Sequence, residues 1–344
     1  MIKKSIYILL AVLSGGLFSW LNVPAGWLLG SMFAEMISSF FIIKIYLPNK
    51  LFKIALALIG ANIGLMLRPE QFLNYQALLF PFLLTLLITI IGGVLLGKFL
   101  KHFSNLNSNT AFFCCLPGGA SEVIALSHKY GANEQIVAAF HTTRITLFVL
   151  VIPLVVGLNA PFIHTNASNG FPLTQALWAI LTLLAIMLAT LFLSQRLQFP
   201  GSSLLFAIGL GFLAYLLFPT IEVPVVVTGV AQAIMGAIIG IRFDKESLLQ
   251  LKSIGAISAV TLFIYFIVSL GLATIFFVLT PIDWFTSLLG IVPAGAAEMA
   301  STAATLKMDA AMVATFQMAR VLALLILLPF LIRMFAKSTN TEVQ

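Results

Sequence analysis

The chain has 344 residues, 61% of them hydrophobic and only 8% charged, with a mean hydropathy of +1.11. Soluble domains carry about 25% charged residues, so this composition excludes both a water-soluble protein and a disordered chain. A net charge of +7 would suggest nucleic acid in a soluble protein, but here the Lys and Arg residues sit in short loops between apolar runs, where such cations orient a membrane protein.

Apolar runs fall at 5–21, 25–43, 51–67, 77–100, 109–128 and 134–158, then at 173–195, 202–218, 223–241, 254–280, 284–305 and 310–335. A span needs about 20 such residues, and no room is left for a large soluble domain. Lys3 and Lys4 followed by the first run resemble a signal peptide in charge order, but the run is long for one and further spans follow, so it reads as an uncleaved first helix. Cys114 and Cys115 are the two cysteines. Adjacent in an apolar run, they make neither a disulfide framework nor a metal motif.

A single ungapped offset of 176 residues pairs Pro24 with Pro200, Gly60 with Gly236, Gly64 with Gly240, Pro117 with Pro293 and Gly119 with Gly295. It also pairs Glu122 with Glu298, Phe140 with Phe316, Arg144 with Arg320 and Pro153 with Pro329. Composition alone does not reproduce two intramembrane Glu and Arg positions at one spacing, so the chain reads as an internal duplication. Residues 1–158 form the first repeat, 159–172 a polar linker on the outer side, 173–337 the second repeat and 338–344 a C-terminal tail.

The fifth run of each half reads Leu116-Pro117-Gly118-Gly119-Ala120-Ser121-Glu122 and Val292-Pro293-Ala294-Gly295-Ala296-Ala297-Glu298. Proline removes a backbone donor and glycine allows non-helical angles, so a break is expected in mid-run. Two cases follow: a re-entrant hairpin or a broken spanning helix. With a hairpin and the N-terminus inside, fourteen loop Lys and Arg face inward and two outward; with a full crossing the split is nine to seven. The charge asymmetry favours the hairpin. An odd number of crossings then inverts the second half. The expected fold is an all-α polytopic membrane protein of two inverted repeats, each with about five transmembrane helices and a broken or re-entrant helix.

Inversion would bring both breaks and the charged set toward a midplane site. The candidate solute- and ion-binding residues are Pro117, Gly118, Gly119, Glu122, His141 and Arg144, with Pro293, Gly295, Glu298, Gln317 and Arg320. Ionisable groups at membrane depth are costly and usually mark a pathway; a bland alternative is that Glu122–Arg144 and Glu298–Arg320 are structural ion pairs. His141 lies one turn before Arg144, on the same helix face. Glu35, inside an apolar run, is either a residue near a span end or a proton or cation site; Asn62 could line the solute site. Gly60, Gly64, Gly236 and Gly240 form small-xxx-small faces that suit close helix packing. No metal-ligand cluster or phosphate loop is present in the sequence, so neither a cofactor nor catalysis is expected.

At the duplicated Pro-x-Gly-x-x-Glu motifs, with Arg144 and Arg320, the chain resembles the membrane AbrB duplication family across nearly its whole length. Some members are labelled regulators of AidB expression and others ammonia monooxygenases. The resemblance implies an effect on gene expression without direct DNA contact, because the inner loops hold no DNA-binding domain. A monooxygenase would need a copper or iron site, which the four scattered histidines do not supply. Ala294 departs from the family pattern at the second motif's first Gly and would loosen or reshape that break. The expected activity is ion-coupled secondary transport of a small polar or anionic solute, with protons or Na+ as partner ion. The alternative is a membrane-embedded regulator that binds a ligand without moving it. The expected setting is the bacterial cytoplasmic (inner) membrane, in contact with lipid, with both termini cytoplasmic, and with homo-oligomerisation left open.

Overall fold

The computed structural model describes residues 2–41, 47–70, 75–159, 173–199, 201–219, 221 and 223–335. The first half supplies α1 (Ile2–Trp20), α2 (Gly26–Phe41), α3 (Asn49–Met66), α4 (Leu79–Phe103), α5 (Ser108–Cys115), α6 (Ala120–Lys129) and α7 (Glu134–Asn159). The second supplies α8 (Leu173–Arg196), α9 (Ser202–Leu217), α10 (Val225–Arg242), α11 (Lys245–Ile254), α12 (Ala256–Leu279), α13 (Trp284–Ile291), α14 (Ala296–Thr305) and α15 (Ala310–Phe335). Seven of these helices are long and apolar enough to cross a membrane. The chain is an all-helical polytopic membrane protein. On α8, the residues Leu177, Trp178, Leu181, Leu188 and Phe192 are exposed, an apolar face that suits lipid rather than water.

Helix bounds recur at the 176-residue offset: α2 with α9, α3 with α10, α5 with α13, α6 with α14 and α7 with α15. Left-handed backbone recurs at the same offset, at Ala25 (φ 50) and Gly201 (φ 75), and at Gly131 (φ 67) and Lys307 (φ 55). One helix has no counterpart among the apolar runs. α11 is short and polar, and Asp244 caps it by accepting from the Ser247 amide at 2.9 Å and hydroxyl at 2.8 Å. Its leucines alternate with charges at helical spacing, a pattern a search for spans passes over.

The contacts divide the chain into two compact units that cut across the sequence halves. Unit 1 is Met1–Gln76, Val149–Arg242 and Gly295–Thr315; unit 2 is Ala77–Phe148, Phe243–Ala294 and Phe316–Gln344.

In unit 1 the most extensive pairings are α2 on α10 and α3 on α9. Both depend on glycine. A methyl group at Gly236 or Gly240 would overlap the backbone of Leu28 or of Met32 and Met36. At Gly60 or Gly64 it would overlap Leu204 and Ala207, or Ile208 and Phe212. Backbone meets backbone here, as the small-residue spacing anticipates.

In unit 2, α4 packs on α5 and α12, and α12 on α13. The fifth run is interrupted as expected. Leu116 (φ −62, ψ 124) and Gly119 (φ −64, ψ 122) are extended. Asn109 Nδ2 donates to the Tyr130 carbonyl at 2.7 Å, Asn107 Nδ2 to that of Gly131 at 3.1 Å, and the Asn133 amide to Thr110 Oγ1 at 2.9 Å. The start of α5 is thus tied to the end of α6, and the segment is a hairpin. Its arms of 8 and 10 residues rise only about 12–15 Å each.

The second break has nearly the same angles, at Val292 (φ −63, ψ 133) and Gly295 (φ −76, ψ 134). The flanking residues need no left-handed angles, because extended backbone suits any residue, and at Ala294 the second break carries a bond of its own, the Ala294 amide donating to the Val292 carbonyl at 2.8 Å. At Gly295 an added methyl group would meet the flexible end of the Glu298 side chain, which would have to swing aside.

Candidate functional site

The two halves build parallel corners in unit 2. In the first, His141 of α7 is fully buried, and its Nε2 bonds the Phe113 carbonyl of α5 at 2.9 Å. Its Nδ1 lies 3.1 Å from Arg144 Nη2. A guanidinium only donates, so Nδ1 is the acceptor and Nε2 carries the proton: the bonding pattern fits a neutral ring. In the second corner, Gln317 takes the place of His141. Its Nε2 donates to the Leu289 carbonyl at 2.6 Å and to that of Val292 at 3.0 Å, and its Oε1 accepts from Arg320 Nη2 at 2.6 Å. Imidazole and carboxamide thus play one part, a donor toward the hairpin and an acceptor toward arginine. Leu289 is the offset partner of Phe113.

The two arginines end differently. Arg320 Nη1 donates to the carbonyls of Ile291 (3.0 Å) and Val292 (2.8 Å), and Nη2 reaches that of Ala294 at 3.3 Å. It stitches the break together. Arg144 is as buried, yet its Nε and Nη1 have no hydrogen-bond acceptor among the described residues. Its guanidinium carbon stands 5.0 Å from the ring centre of Tyr265 on α12. Arg144, Arg320 and Tyr265 lie within electrostatic reach of one another. The offset partner of Tyr265 is Thr89, whose hydroxyl bonds the Thr85 carbonyl at 2.7 Å.

Pro117 lies in the break of unit 2, pressed against α4: a methyl group at Gly93 would overlap the Pro117 ring and the Cys115 carbonyl. Gly118 faces Val123, and Gly119 caps α6. Pro293 lies in the second break. The side chain of Glu122 lies outside the described residues. Glu298 belongs to unit 1, where its carboxylate bends back onto its own amide in the first turn of α14, within electrostatic reach of Arg242. That position suits a carboxylate, since free N–H groups and the helix dipole meet there. Asn62 is half-buried, and its Nδ2 makes a 3.9 Å contact with Met66 Sδ. Glu35 is completely buried in unit 1. Sequence reasoning missed Tyr265. Its signal was a lone polar-tipped aromatic in the apolar run 254–280.

Comparison with known proteins agrees with the family resemblance. The family described as "Transition state regulatory protein AbrB" matches residues 27–336. The chain is 29% identical over 322 residues to an Escherichia coli (strain K12) protein named "Putative regulator AbrB", covering 92% of this chain and 91% of that one. It is 27% identical over 369 residues to the "Uncharacterized protein YhjN" of Bacillus subtilis (strain 168), covering 96% and 92% respectively. The chain belongs to this membrane AbrB family.

Proposed function

We propose that the protein is a secondary transporter of a small anionic solute, a carboxylate or phosphate, held at Arg144. The observation that carries this reading is a buried guanidinium whose Nε and Nη1 have no acceptor among the described residues, beside a second buried arginine. Buried charges are normally paired, and the fork of N–H groups on arginine matches a carboxylate or phosphate. Arg144 binds the solute, the Tyr265 face orients the guanidinium, His141 fixes its far side, and Arg320 holds the second break.

Inverted duplication supports the transport reading. α2 runs beside α10 in the same direction, with Leu28 near Gly236 and Met32 near Gly240; α9 runs likewise beside α3. Consecutive spans oppose each other, so α3 and its offset partner α10 point opposite ways. Inverted repeats with interrupted helices are a common transporter plan. The bacterial relatives and the loop charges support a cytoplasmic-membrane setting with both termini inside.

The test is uptake of labelled carboxylates and phosphates into liposomes holding the purified protein, under an imposed proton or Na+ gradient. Accumulation lost in Arg144→Ala is the expected result. The reading fails if the wild type neither accumulates nor is thermally stabilised by any solute in the panel. A second reading takes its support from the regulator name of one relative: the same site senses an anion without moving it. Stabilisation without accumulation would favour it.

A further inference from the structure

A second ionisable site lies in unit 1, on α2. Glu35 on α2 is 0% exposed, and neither carboxylate oxygen has a hydrogen-bond partner among the described residues. α2 is covered by α1 on one side and α10 on the other. From α1 the facing titratable group is Tyr7, 8% exposed, whose hydroxyl is equally unpartnered and within electrostatic reach of Glu35. Lys4, nearer the start of α1, is exposed. From α10 the cation is Arg242 in the last turn, which stands over the Phe52 ring and acts on Glu298. Nearby Ser31 is already committed, its hydroxyl bonding the carbonyls of Trp27 and Leu28 at 2.9 and 3.0 Å.

An unpaired carboxylate in such a setting is far too costly to keep as a bare anion. A metal cation in its place would need a shell of about six oxygens. The Tyr7 phenol and, one turn to either side on α2, the hydroxyls of Ser31, Ser38 and Ser39 fall short of such a shell, and those of Ser31 and Ser39 are bonded to helix carbonyls. We infer that Glu35 is a proton-carrying site, with the Tyr7 hydroxyl as its neighbour on the proton path, and that the coupling ion of this protein is H+. This rests on the transport reading for its role in coupling, but the proton site stands apart from it.

The experiment has two arms. Infrared difference spectra of wild type against Glu35→Gln read the carbonyl stretch of a protonated carboxyl directly, with no solute and no flux. The expected result is a band at neutral pH that is absent from Glu35→Gln and shifted, not lost, in Tyr7→Phe. In liposomes, Glu35→Gln is expected to keep solute binding and solute exchange but to lose accumulation driven by a pH gradient, at least tenfold below wild type. A missing band, or a band unchanged in Glu35→Gln, overturns the proton site. A band displaced by Na+ overturns the choice of proton over metal cation. Gradient-driven accumulation that persists in Glu35→Gln overturns the coupling role. A wild type that shows the band but no transport upholds the proton site and ends the transport reading alone.

Discussion

The corner around Arg144 and the corner around Arg320 are built on one plan and finished in opposite ways. Both use a residue one turn earlier to grip a hairpin carbonyl and offer an acceptor to the arginine. In the second corner the long, flexible Gln317 holds the carbonyls of Leu289 and Val292, and Arg320 shares that of Val292 and adds those of Ile291 and Ala294, so these bonds are spent on structure. In the first, the rigid His141 ring holds one carbonyl, and Arg144 lies over Tyr265 with two donors that meet no acceptor among the described residues. Two arginines at one sequence offset thus differ through their neighbours: one holds a break together, and the other keeps two donors without an acceptor among the described residues.

The largest expected effect comes from removing each arginine in turn. Arg320→Ala strips buried carbonyls of their donors and is expected to cost at least ~3 kcal/mol, seen as a large drop in thermal unfolding temperature in detergent. Arg144→Ala is expected to cost less, about 1–2 kcal/mol, because among the described residues it gives up one hydrogen bond to His141 and the contact with the Tyr265 ring, while abolishing anion binding. Equal losses of stability would erase the contrast between the corners.

Next in size is the wall behind each break. Gly93→Ala drives a methyl group into Pro117 and is expected to destabilise by about 1–3 kcal/mol. At the matching position of the other half stands Ser269, which already carries a side chain, and Ser269→Ala should change stability by well under that amount. Calorimetry of the two variants checks this.

A smaller effect tests whether His141 is a positioning group or a titrating one. His141→Gln preserves donor and acceptor, and is expected to leave stability within about 1 kcal/mol and the pH profile of anion binding unchanged. His141→Leu leaves the Phe113 carbonyl bare, and about 1–3 kcal/mol should be lost. A pH profile altered in His141→Gln would make the ring a proton carrier.

The smallest concerns the turn closing each hairpin. Gly131 occupies a left-handed position that Lys307 occupies at φ 55 in the other copy. Lys307→Gly relieves that strain and should raise stability by up to about 1 kcal/mol, measurable as a slight gain in unfolding temperature.

Much of this was legible in the sequence, for identifiable reasons. Helix bounds follow apolar runs, which depend only on composition along the chain. The breaks follow from Pro117 and Pro293, whose missing donor acts wherever the chain goes. The pairing of His141 with Gln317 came from the offset, but not their shared chemistry, which depends on which carbonyl each side chain meets. The difference between Arg144 and Arg320 was hidden for the same reason: it is set by Tyr265 on a distant helix. Glu35 stood out as an acid among apolar residues, but its isolation is a property of α1 and α10 as much as of α2. α11 was missed because its polar composition conceals it from a hydropathy search.

The glycine faces of unit 1 carry one further consequence. Where Gly236 and Gly240 rest on the α2 backbone, and Gly60 and Gly64 on that of α9, no side-chain layer remains to rearrange or admit water. These four helices should therefore open only together. Deuterium would enter their amides at one shared slow rate, while the ends of the same helices exchange early.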